Sequence, residues 1–162
     1  MSVAVKRYVA AVGSEDTPSD VEPEIEAVLR FLVPLGYAVR SGAARGFDTI
    51  AERLALRLGG EVEIFLPWKG FGDHPSRLCK PPPIASKIAQ EYMSPHHWNG
   101  MSPGAQQCHA RDVQQVLGKH CGPPSIPVDL VFCWTPGGKV VGGTATAIKV
   151  ATAHGIPVFN LY

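Results

Sequence analysis

Short apolar runs alternate with stretches of helical period along this chain, and glycine-bearing turns follow several of the runs. Arg7 to Val12 reads RYVAAV and stops at Gly13-Ser14. Similar runs lie at Tyr37 to Arg40, Glu61 to Leu66 (EVEIFL), Asp129 to Trp134 and Pro157 to Leu161. Unbroken apolar runs this short, bounded by turn residues, read as strands buried on both faces. Between them lie four helical stretches. The first opens at Ser19 or Asp20, places Ile25, Val28, Leu29 and Leu32 on one face, and ends at Pro34 and Gly36. The others are Asp48 to Leu58, Ala105 to Leu117, and Gly143 to His154.

Strands alternating with helices imply an α/β fold, since a parallel strand needs a crossover long enough to hold a helix. The expectation is one Rossmann-like, doubly wound parallel sheet of about five strands with helices on both faces, forming a single domain over residues 1–162. With strand order 3-2-1-4-5, the switch point lies between the first and fourth strands, where ligands bind outside the carboxyl ends. The turns after strands one and four then flank one crevice, and the turn after strand two lies beside it.

The alternation breaks between Pro67 and Gly104, where prolines, glycines and aromatics cluster (PWKGFGDHPS, KPPP, SPHHWNGMSPG) around one helical candidate, Ile84 to Tyr92. An irregular insertion of this size points to a functional loop or lid. From Pro67 to Cys121 six Lys or Arg residues face three acids, and Trp68, Phe71, His74, His96, His97 and Trp98 lie among them. Aromatics among cations suit stacking on a nucleobase; the alternative is a folded-back flap with its own small core.

Bulk composition excludes several classes. Hydrophobic content is 45%, charged content 18% and formal net charge +1, so no charge excess advertises a nucleic-acid or membrane partner. MSVAVKRYVAAVGS lacks the apolar core and cleavage site of a signal peptide, and no run reaches spanning length, so the expected compartment is the cytoplasm. Cys79, Cys108, Cys121 and Cys133 form no CxxC pair, which argues against a disulfide scaffold. Cys108-His109 and His120-Cys121 are adjacent pairs rather than pairs at zinc-ligand spacing, so no metal is expected.

Three turns carry the candidate chemistry. In PGGKVVGGTATA, Gly142-Gly143-Thr144 opens a helix whose first amides have no internal partner and sit at its positive end, a seat for phosphate. A plain strand-to-helix turn capped by Thr144 is the competing reading. The stretch lacks the Gly-Lys-Ser/Thr ending of a Walker A loop, although Gly138 and Lys139 lie close by. In SGAARGFD, Gly42, Ala43 and Ala44 keep the turn narrow, and Arg45 offers either a fork for phosphate or a surface salt bridge. Asp48 either caps the next helix or meets a ligand hydroxyl. Glu52, Arg53 and Arg57 read as a solvated helix face, and Ser14 has no His and Asp partners for a nucleophile role. For Arg111, on the helix before the fourth strand, the expectation is a side chain directed toward the crevice.

The strand–GS turn, SGAARGFDTIAERLA, FLPWKGFG, HARDVQQVLG and PGGKVVGGTATAIKVATAHGIPVFNL together resemble the SLOG superfamily. That group holds the Rossmann domain of DNA processing protein A, the YspA-like proteins and the LOG phosphoribohydrolases; the likeness is to small DprA-like proteins common in bacteriophage genomes. SGAARGFD is similar to the SGxARGID turn of DprA, which implies Ser41, Gly42, Ala43, Arg45, Gly46 and Asp48 at a ligand or DNA-phosphate pocket. The glycine-threonine loop of the superfamily implies Gly142, Gly143 and Thr144, joined by Gly138 and by Gly13 and Ser14. Arg111 is similar to an arginine before the fourth strand of YspA-like and LOG-like members. LOG enzymes carry a glutamate in PGGxGTxxE, and the matching position after Thr144 is Ala147. The resemblance therefore implies a nucleotide, nucleotide-derived ligand or nucleic-acid phosphate held without turnover, with no catalytic residue and no required cofactor. Two alternatives accompany it: DprA-like single-stranded DNA binding in recombination, and LOG-like hydrolysis of nucleoside 5'-monophosphates. It also implies a homodimer or higher oligomer.

Overall fold

A computed structural model describes residues 5–162. The described residues form five strands, β1 (Arg7–Gly13), β2 (Tyr37–Ser41), β3 (Val62–Ile64), β4 (Leu130–Trp134) and β5 (Val158–Asn160). They form six α-helices, α1 (Glu22–Leu32), α2 (Phe47–Arg57), α3 (Pro83–Gln90), α4 (Pro95–Gly100), α5 (Pro103–Leu117) and α6 (Ala145–Ala153). The strands make one sheet of order β3-β2-β1-β4-β5, with every pairing parallel. The class is the one the alternation implied, and the order is the one on which the crevice between the first and fourth strands depended.

Period-two alternation along the strands divides the core into two layers. Val9 and Ala11 of β1, with Phe132 and Trp134 of β4, pack against α1 and α2 through Ile25, Leu29, Ala51 and Leu54. Ala10 and Val12, with Val131 and Cys133, face the opposite layer and meet Val113 and Val116 of α5 and Ile148 and Val150 of α6. Phe47 and Phe132 close the first layer edge to face, their centroids 5.7 Å apart. Among the described residues no helix is long and apolar enough to cross a membrane.

The insertion is more regular than its composition suggests. Helix α4 lies within SPHHWNGMSPG, and α5 begins two residues before the expected Ala105. Both use one device. Ser94 Oγ accepts the His97 amide at 3.1 Å and Ser102 Oγ accepts the Ala105 amide at 3.2 Å, each serine followed by proline at the first helical position. Nor does the insertion carry a core of its own. Ala85, Ala89 and Trp98 join the cluster of α5, α6 and β1, which buries Trp98 away from any stacking role.

The start of the insertion is tied to the sheet edge. Ser76 Oγ donates to the Ile64 carbonyl at 2.6 Å, and the Leu66 amide donates to the Leu78 carbonyl at 2.7 Å. His74 Nδ1 accepts the Ser76 amide, which leaves Nε2–H to donate to Glu52 Oε1 at 2.6 Å. Glu52 is therefore a half-buried partner of the insertion and not part of a solvated face. Arg53 and Arg57 do lie at the surface, paired with Glu22 and Glu26 of α1.

Candidate functional site

At the carboxyl edge of the sheet, between the ends of β1 and β4, lies a cavity of about 530 Å³. Its walls come from the β1 turn, the start of α2, α5, the loop after β4 and the start of α6, with Phe71 entering from the insertion. A doubly wound sheet opens at this place because the crossovers on either side of β1 and β4 leave on opposite faces.

The β1 turn is held from both sides. The Ser14 amide donates to the Trp134 carbonyl at 3.0 Å, and the Gly13 amide donates to Asp48 Oδ1 at 3.2 Å. Asp48 is thus neither a helix cap nor free: α2 has Gly46 at its N-cap with no side-chain bond, and the Asp48 carboxylate braces β1 from 35 residues away. Burial pushes the Asp48 carboxyl up to about 7, and Asp112 adds to the rise, against the pull of Arg111 and the Gly13 amide.

Gly46 explains where the second turn leads. Its φ is +80°, and a Cβ there would stand 2.5 Å from the Ser14 carbonyl oxygen, so only glycine lets α2 start against the β1 turn. The same passage carries Arg45 outward. Its side chain is 88% exposed and lies 3.6 Å from Glu15 at the surface. Ser41 Oγ donates to the Ala11 carbonyl, Ala43 is buried against Ile64 and Leu66, and Gly42 packs under α5. These three residues support the cavity from behind, and Ala44 and Asp48 are the members of this stretch that line it.

Arg111 lines the cavity but is occupied by the protein. Its Nε donates to Asp112 Oδ1 at 2.9 Å, and its Nη1 donates to the carbonyls of Gly42 and, at 3.4 Å, Phe65. The guanidinium sits 5.5 Å from the Phe71 ring centroid. Asp112 is buried and its carboxyl is pushed up by burial, with Arg111 opposing. The pair pins α5 to the β2–α2 turn across 69 residues of sequence.

Two further α5 side chains shape the floor. His109 Nδ1 and Thr146 Oγ1 are 2.7 Å apart, joining α5 to α6, and burial holds the imidazole below its usual value, hence uncharged. Gln115 is 2% exposed and lines the cavity, with its amide against Gly42. Gln115 did not stand out in the sequence, and His109 stood out only as half of an adjacent Cys-His pair. The signal was their spacing with Arg111 and Asp112 on a helix entering a glycine turn, which only a three-dimensional placement makes readable.

Gly142, Gly143 and Thr144 form the opposite wall. Helix α6 starts two residues later than expected, Thr144 makes no side-chain cap bond, and the Ala145 amide closes on the Gly142 carbonyl at 3.2 Å. Gly138 lies elsewhere, against Tyr162, and Lys139 is outside the lining as well. Ala147 is fully buried in the core cluster behind α6. Of the four cysteines, Cys108 lines the cavity, Cys121 and Cys133 are buried, and all are free. Among the described residues no group of three or more His, Cys, Asp or Glu could hold a metal ion.

The structure thus brings Gly13, Ser14, Asp48, Arg111, Gly142, Gly143 and Thr144 to one cavity, and leaves Ser41, Gly42, Ala43, Arg45 and Gly138 outside its lining. No family model matches the chain, and no curated protein matches it in sequence. Two solved structures are similar. DNA processing protein A of Streptococcus pneumoniae superposes with a TM-score of 0.57 at 20% identity, covering 96% of this chain and 50% of that one. The Helicobacter pylori DNA processing protein A, described for its single-stranded DNA binding mode, superposes with a TM-score of 0.51 at 15% identity, covering 95% of this chain and 64% of that one. The chain spans half to two thirds of the length of these structures, and over nearly its whole length it has the Rossmann-like fold they contain.

Proposed function

We propose that this protein binds a nucleotide or nucleotide-derived ligand in the cavity between β1 and β4, without turning it over. One observation carries this reading. The Gly13-Ser14 turn and the Gly142-Gly143-Thr144 turn, far apart in sequence, face each other across about 530 Å³, a volume suited to a small ligand. The α6 N-terminus supplies a seat for one anionic group. Ala147, buried in the core where the LOG enzymes carry glutamate, leaves that hydrolytic route without its carboxylate. Isothermal titration against nucleosides, nucleotides, cyclic nucleotides and ADP-ribose, together with native mass spectrometry for co-purified ligand, tests the proposal. Absence of heat at high micromolar concentration across the panel, with no ligand in the mass spectrum, refutes it.

Single-stranded DNA at the rim is the second reading, favoured by the exposed Arg45 and the half-exposed Trp68 beside Phe71. It predicts oligonucleotide retention that weakens with salt and with Arg45→Ala. A homo-oligomer belongs to the same proposal, and native mass spectrometry reads the subunit number directly.

A further inference from the structure

Residues 139–143 run past the mouth of the cavity, between the end of β4 and the start of α6, with little to hold them there. Among the described residues their backbone bonds stay within the loop. The Lys139 amide donates to the Pro136 carbonyl at 3.3 Å, the Val141 amide to the Lys139 carbonyl at 3.0 Å, and the Gly142 carbonyl accepts the Ala145 amide. Glycine stands at each end, Gly137 at φ +67° and Gly142 at φ +70°, and nothing lies within 4 Å of where a Cβ on Gly142 would be. Positions of this kind absorb the backbone rotation of a hinge without a side chain to displace.

The side chains on the loop are poorly placed where they are. Val140 and Val141 are 49% and 43% exposed, although Val141 lines the cavity. Lys139 is exposed and folded back along the loop, its Cε 3.5 Å from where a Cβ on Gly137 would stand. No ion pair among the described residues includes it. Across the mouth lie two exposed acids of the β1 turn, Glu15 and Asp16. Glu15 meets Arg45 at 3.6 Å with both side chains exposed, and Asp16 has no ion pair among the described residues. Gly13 is in register with Trp134, so the two turns leave neighbouring strands about 5 Å apart.

We propose that residues 139–143 are a lid, open in this structure, that swings on Gly137 and Gly142 to set Lys139 against Glu15 and Asp16 and to carry Val140 and Val141 over the cavity mouth. Closing takes valine surface out of water, and the lysine and the two acids form the latch. The closed lid shields Cys108, the half-buried thiol in the cavity wall, from solvent. Every contact of the latch belongs to the chain itself, so the lid stands independently of which ligand the cavity takes.

The test traps the latch in the unmodified chain. A carbodiimide condenses a lysine amine with a carboxylate in contact with it, forming an amide, and peptide mass spectrometry identifies the joined pair. Lys6 and Glu61, 2.6 Å apart, are the internal control. The expected product joins Lys139 to Glu15 or Asp16. Iodoacetamide then reads access to the cavity: Cys108 in the trapped chain should react at least about 5-fold more slowly than in the untreated chain, with Cys79, outside the lining, unchanged. Absence of a Lys139 product where the Lys6–Glu61 product forms overturns the lid. So does a trapped chain whose Cys108 reacts as fast as before. Neither readout uses a nucleotide, so a failure here is distinct from a failure of the titration panel.

Discussion

Replacing Asp48 by Asn removes the one carboxylate that both braces β1 and sits at the cavity wall. Asn keeps an acceptor for the Gly13 amide, now at 3.2 Å, and changes the side-chain volume little. What it removes is a titration. The Asp48 carboxyl is raised from 3.8 to about 7, so between these values the folded protein holds a proton that the unfolded chain releases. Stability contributed by that proton is greatest below 3.8 and is lost as pH rises through about 7. One proton held only by the folded state is worth about 1.4 kcal/mol for each pH step of one across that window. The wild type should therefore lose about 2.5 kcal/mol between roughly pH 5 and pH 8 from this group alone. The assay is urea denaturation of wild type and variant at four values from about pH 5 to pH 8 at fixed ionic strength, followed by tryptophan fluorescence. The expected result is a wild-type-minus-variant difference that falls by about 2.5 kcal/mol over the range. His109 titrates in both proteins and largely cancels. A difference constant to within about 0.5 kcal/mol would refute the burial argument.

Other perturbations probe separate parts of the same reasoning. Gly42→Ala would drive a Cβ to 2.6 Å from Arg111 Nη1 and into the Gln115 amide, and should cost about 2–3 kcal/mol in urea unfolding; a cost below about 0.5 kcal/mol would mean α5 shifts freely. Ser102→Ala removes the cap of α5 and should lower stability by about 1 kcal/mol, measured by the same unfolding curves. Glu52→Gln weakens the tie to His74 and should speed amide exchange across residues 71–78 while leaving that of β1 and β4 unchanged. Arg45→Ala, at an exposed side chain, should change stability by less than about 0.5 kcal/mol, so any loss of oligonucleotide retention reports on binding.

How far the sequence carried can be seen at particular residues. The five strands and the long helices were readable, because apolar periodicity reports which face of each element is buried, and the parallel crossovers left few strand orders to consider. Helix α4 was missed because Ser94-Pro95, which caps it, also belongs to the vocabulary of turns. Glycine-bearing turns located the crevice correctly as a place, since glycine there answers a local backbone demand.

Which side chains enter that crevice was another matter. Arg45 and Arg111 look equally suited to a ligand in the sequence, yet Gly46 turns one out to solvent while burial commits the other to Asp112 and the Gly42 carbonyl. Asp48 reads as a cap until β1 is folded against it, and Gln115 reads as an ordinary helix residue until its side chain is buried at the cavity wall against Gly42. The chain by itself determined the alternation of elements, the parallel sheet and the edge where the cavity opens, because these follow from local pattern and chain connectivity. Charge, protonation and accessibility at that edge were decided only by the tertiary structure. They depend on contacts between residues 35 to 69 positions apart, and on the water those contacts exclude.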